Sequence, residues 1–261
     1  MKPLLQAAAL AAALTALVPA HAGRSCETRP VAAESLERGL GLAERTAKAL
    51  DASGAKVVVL ARAGQDLSRY GLAWSHLGLA YREPASGRWR VVHKLNHCGT
   101  ALADVYRQGL GEFFLDDPWR YEAAYVVLKP ELQQRVLDAL VDDRRATRLH
   151  TPAYSMVAYA WAQRYQQSNQ WAIETLASAV EPAATDRGRA QAWLQLRDYR
   201  PTTLRVNTFE RLGARITAAH IAFDDHPNEK RFAGRIESVT VDSVFDWLQR
   251  SGLGESPRVV R

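Results

Sequence analysis

The sequence predicts a single α+β domain in which an antiparallel sheet packs against helices. Composition comes first: 261 residues with 47% hydrophobic and 24% charged side chains, 16 Gly, 11 Pro and 2 Cys describe an ordinary globular chain. They exclude disordered, collagen-like and cysteine-stapled classes. Second, short β-branched or aromatic runs recur, two of them joined by turn chemistry. Third, longer segments with apolar residues at helical spacing flank these runs.

In chain order, 34–50 carries Leu36, Leu40, Leu42, Ala43, Ala47 and Leu50 among charged residues, as an amphipathic helix does, and Asp51, Ser53 and Gly54 stop it. Val57, Val58, Val59 and Leu60 make 56–62 a buried strand. Strands follow at 75–82 and 88–95, and the intervening Glu83, Pro84, Ala85, Ser86 and Gly87 favour a hairpin. The segment 101–108 reads as a short helix closed by Gly109 and Gly111, and 121–129 as another strand. Pro130 and Glu131 open a helix to about Val141. Further helices are expected at 169–179, 186–196 and 243–250, and strands at 202–206 and 236–241. No repeat or low-complexity linker divides the chain. Residues 23–261 therefore read as one domain, with a boundary near Pro182 as the alternative.

The first 22 residues read as a cleaved leader. Lys2 begins it, Leu4 to Val18 is rich in Leu and Ala, Pro19 breaks the run, and Ala20, His21 and Ala22 form the small-x-small site. The run is shorter than the roughly 20 residues that span hydrocarbon. Nothing later reaches that length, so the expected mature chain starts at Gly23, carries no transmembrane segment and lies in the periplasm. An oxidising compartment permits Cys26 and Cys98 to pair, and a disulfide between them is expected.

The formal charge of +6 comes from 34 Lys and Arg against 28 Asp and Glu, scattered along the chain. With no basic-aromatic array and no glycine fingerprint after a strand, neither a nucleic acid nor a nucleotide cofactor is expected. The partner expected instead is an unidentified cell-envelope ligand or protein. Trp89 belongs to a core strand or to a binding surface. The acidic pairs Asp116, Asp117 and Asp224, Asp225 lack calcium-loop spacing and read as solvated loop residues.

His76 stands at the start of its strand, on the face of Gly78 and Ala80, whose small side chains leave room beside the ring. A general base needs such access, although a packed structural histidine fits the same pattern. On the next strand His93 or Asn96 can orient His76, according to register, with His93 the first choice. Ser168 falls where a long helix begins and can act as a nucleophile beside unpaired backbone N–H groups, or merely as a cap. Cys98 is a competing nucleophile, removed if it pairs with Cys26. A zinc site from His76, His93, His97 and Cys98 lacks the Cys-x-x-Cys and HExxH spacings, and no cofactor or metal is expected.

The blocks WSHLGLAYREPASGRWRVVHKLNHCGT, GLGEFFLDDP and YQQSNQWAIETLA, read together, resemble the bacterial domain-of-unknown-function family 2145 over nearly all of the mature chain. More distantly, their order resembles a circularly permuted papain-like fold related to the NlpC/P60 group. There a His-x-Gly strand precedes a nucleophilic Cys at a helix start. That likeness implies His76 as base, His93 as orienter and Ser168 in the place of the cysteine. It implies a serine-dependent acyl hydrolase or acyltransferase on an amide or ester. The alternative is a non-catalytic envelope binding or structural protein with a papain-like cleft. Serine in place of cysteine demands much stronger activation by the base.

Overall fold

A computed structural model describes residues 30, 32–116 and 118–261, with the side chains of Ile216 and Thr217 excepted. The leader, Gly23, Cys26 and Asp117 lie outside the described residues. Helix α1 (Ala33–Ala52) leads into β1 (Val57–Ala63), and the hairpin β2 (His76–Arg82) and β3 (Trp89–Asn96) follows. Strand β4 (Ala103–Gly109), α2 (Leu110–Phe114), β5 (Arg120–Val127), α3 (Pro130–Val141) and α4 (Asp143–Thr147) come next. The second half holds α5 (Ser168–Val180), α6 (Arg187–Leu196), β6 (Thr202–Arg205) and α7 (Thr208–Thr217). It ends with α8 (Asn228–Phe232), β7 (Arg235–Ser238), α9 (Val241–Arg250) and β8 (Arg258–Val260).

The chain is a mixed α+β domain with its sheet packed against helices. Six strands pair antiparallel in the order β4-β3-β2-β1-β5-β8. Every residue of β1 is buried, since both faces of the sheet are covered. That two-sided burial is what its unbroken apolar run reflects. Val57, Val59 and Ala61 share one cluster with Leu77, Leu79, Val92, Val126 and helices α3, α5 and α9. Val58, Leu60, Ala80, Val91 and Tyr125 pack on the other face against Leu42 and Leu50 of α1 and Phe113 and Phe114 of α2. The β2–β3 turn closes with Gly87 at φ 68°, a backbone state that only glycine adopts freely.

One expected element changes. Residues 101–108 are not a helix: β4 pairs with β3 from Asn96↔Ala103 to Arg90↔Gly109. The backbone groups on that edge of β3 are satisfied by a strand, and Val105 and Tyr106 suit one. Helix α2 begins only afterwards, where the Glu112 carboxylate accepts from the Gly109 N–H at 3.0 Å. The expected Cys26–Cys98 bridge falls in part outside the described residues. No disulfide joins two described residues, because Cys26 lies outside them, and apolar packing holds α1 to the sheet. Cys98, in the turn after β3, is nonetheless not a free cysteine.

A smaller unit flanks this core. Strands β6 and β7 pair antiparallel, and Val206, Phe223 and Ile236 form a third apolar cluster beneath α7. No helix among the described residues is long and apolar enough to cross a membrane.

Candidate functional site

The His76 and His93 side chains meet on the sheet face covered by α1 and α2. Register places Leu79 opposite Val92, and a Cβ at Gly78 would come within 3.1 Å of the His93 Cβ. It would also come within 2.5 Å of Val91 Cγ1, so only glycine lets the strands carry both rings on this face. His76 Nε2 lies 2.8 Å from His93 Nδ1, and His93 Nε2 lies 2.7 Å from Gln108 Oε1 on β4. The amide oxygen can only accept, so His93 Nε2 donates to it and His93 Nδ1 accepts from His76 Nε2–H. His76 Nδ1 keeps its lone pair. Phe113 packs edge-on to His93, their ring centres 5.1 Å apart. Asn96, the other candidate orienter, instead donates to the His97 carbonyl at 3.4 Å.

Both imidazoles are held neutral. Burial, the nearby Arg62 charge and the His93 ring push His76 well below its ordinary range. Burial and Arg62 lower His93 to about 3, against the raising effect of Gln108. Arg62 comes from β1, beside a register shift between Arg62 and Ala63. Its guanidinium donates to the Phe113 carbonyl and pairs with Asp116 at 2.5 Å. Asp116 is therefore no merely solvated loop residue. Nor is Asp225, whose buried carboxylate accepts from the Tyr159 N–H at 2.8 Å and contacts His226 at 3.0 Å. Asp224 pairs with Arg164 at 2.8 Å.

Ser168 begins α5, and α5 packs on the opposite face of the sheet. Its hydroxyl bonds to the buried Tyr154 phenol, which burial holds above its ordinary range. The cap of α5 is Gln167, whose side chain accepts from Asn169 N–H at 3.1 Å. Asn169 ties the helix start to β2 by accepting from Leu77 N–H at 3.0 Å. The structure thus brings His76 and His93 together and does not bring Ser168 to them. Among the described residues no hydroxyl or thiol is hydrogen-bonded to His76. Trp89 is buried, its indole N–H bonded to Asp51 at 2.9 Å.

Lys94, next to His93, points to the α5 face and heads a buried polar network that sequence reasoning missed. Its ammonium donates to the Thr151 carbonyl at 2.6 Å and to Gln166 Oε1 at 3.0 Å. Gln166 donates to Glu174 at 2.7 Å, and Arg187 pairs with Glu174 at 2.8 Å. Arg187 also donates to the carbonyls of Ala162, Gln163 and Tyr165. The irregular segment 148–167 thereby finds partners for its inward backbone groups. Burial and Arg187 lower the Lys94 amine to about 7. The one visible signal was a lysine inside the apolar run Val91–Leu95.

His97 contacts Asp104 at 2.9 Å, and among the described residues no group of three His, Cys, Asp or Glu side chains is arranged to hold a metal. An open groove of about 670 Å³ runs between Tyr70, Leu72 and Trp74 on one side and Asp242, Phe245 and Arg250 of α9 on the other.

Neither the curated proteins nor the solved structures provide a match to the chain. A family model described as an uncharacterized protein conserved in bacteria matches residues 49–248, from the end of α1 to the last turns of α9. That span includes both histidines, Ser168 and the buried network, and the chain belongs to this bacterial family, DUF2145.

Proposed function

We propose that this is an exported, non-catalytic binding protein of the bacterial cell envelope, directed to the periplasm by residues 1–22. The observation that carries this reading is the separation of base from nucleophile. A serine hydrolase needs its base within hydrogen-bond reach of the hydroxyl. Here His76 is engaged with His93 on one face of the sheet, while Ser168 is bonded to Tyr154 beyond the other. Helix α5 packs on β2 and β3, but on the face away from the His76 ring, whereas a papain-like site would set the helix start beside it. The groove beside α9 is the binding surface we assign, since it combines aromatic walls with both signs of charge and has the volume of a ligand site.

Intact-mass analysis after treatment with a serine-directed acyl or fluorophosphonate probe tests the reading. No adduct is expected on wild type. A covalent adduct lost in both Ser168→Ala and His76→Ala would overturn it in favour of the acyl hydrolase. N-terminal sequencing of the exported protein is expected to begin at Gly23. An intact leader recovered with the membrane would remove the export assignment.

A further inference from the structure

The described apolar side chains at the start of helix α7 face outward. Among its described side chains Arg211 is buried and Glu210 and Ala214 are half-buried, whereas Phe209 is 87% exposed and Leu212 58% exposed. Arg211 holds the helix to its neighbour by donating to the Arg231 carbonyl at the end of α8. There Phe232 is 68% exposed as well. Most amphipathic surface helices turn their apolar stripe inward, so a stripe turned outward marks a surface awaiting a partner.

The charges around it say which partner. Arg205 and Arg235 stand directly opposite one another across β6 and β7, at the points where the chain enters α7 and leaves α8. Like charges in that position repel. Arg215 lies in the last turn of α7. None of the three pairs with a carboxylate among the described residues, although most other arginines here do. Three apolar side chains are too small a patch for a stable protein interface, which takes roughly 800 Å² from each partner. A second copy meeting this face about a two-fold axis would set arginine against arginine.

We propose that α7 and α8 dock the protein on an anionic lipid surface. Phe209, Leu212 and Phe232 enter the headgroup boundary, and Arg205, Arg215 and Arg235 meet lipid phosphates. This surface is separate from His76 and Ser168 and serves whether or not the protein carries out chemistry.

The test is co-sedimentation of the protein, as the cell exports it, with vesicles of phosphatidylglycerol and phosphatidylcholine in equal parts and with vesicles of phosphatidylcholine alone. Wild type should prefer the anionic vesicles by about tenfold or more and lose that preference as salt is raised. Phe209→Ser with Leu212→Ser should weaken binding by about tenfold or more. The triple variant Arg205→Gln, Arg215→Gln, Arg235→Gln should do the same through charge alone. Both variants change exposed positions, and circular dichroism should show the wild-type fold. Equal binding to both vesicle types, wild-type binding by either folded variant, or a dimer in solution that Phe209→Ser disperses would each overturn the proposal.

Discussion

Acidification probes the histidine pair directly. In the folded protein His93 is held near 3, chiefly by burial and then by Arg62. In the unfolded chain an imidazole takes up its proton near 6.5. Between those values the unfolded state binds more protons than the folded one. Stability is therefore full above pH 6.5 and falls as the pH drops toward 3. At pH 4.5 the gap is roughly two pK units, or about 3 kcal/mol from His93 alone. His76, lowered by burial, Arg62 and His93, acts in the same direction. The variant His93→Gln isolates the effect: its amide oxygen can accept from His76 and its NH2 can donate to Gln108, but it does not titrate. Urea unfolding of both proteins from pH 7.5 to 4.5 should show wild type losing about 3 kcal/mol relative to the variant. A difference constant across that range, or a His93 ring titrating near 6.5 by NMR, would refute the buried neutral dyad.

Other substitutions test the supports of the site. Gly78→Ala pushes a methyl into Val91 Cγ1 at 2.5 Å and the Val92 carbonyl at 3.2 Å. It should destabilise by about 1–3 kcal/mol in thermal unfolding, and an unchanged Tm would mean the strands yield freely. Glu174→Ala strands the Arg187 guanidinium in the interior and should cost about 3–5 kcal/mol in urea unfolding. A loss under about 1 kcal/mol would show that water replaces the carboxylate. Asn169→Ala removes the acceptor of Leu77 N–H and should cost about 1–3 kcal/mol, with faster amide exchange at Leu77 as its local signature. Unchanged exchange there would assign the bond no role in joining α5 to β2.

Local pattern in this sequence determined the elements that depend on their own residues. The Val57–Leu60 run made β1, Glu83–Gly87 made the hairpin turn, and Pro130 opened α3. Alternation also set His76, Gly78 and Ala80 on one face of β2, because period two is a property of a strand by itself. What depends on a distant partner was not legible. Segment 101–108 became a strand because β3 offered an unpaired edge, and Arg258–Val260 became β8 because β5 did. Which of His93 and Asn96 would reach His76 depended on register between strands. The tertiary structure also decided that α5, and Ser168 with it, packs on the face away from the histidine rings. It joined Lys94, Gln166, Glu174 and Arg187, up to 93 residues apart, into one buried network. A helix's spacing reveals that it has an apolar face but not which side of a sheet that face covers. That choice belongs to the packing of the whole chain.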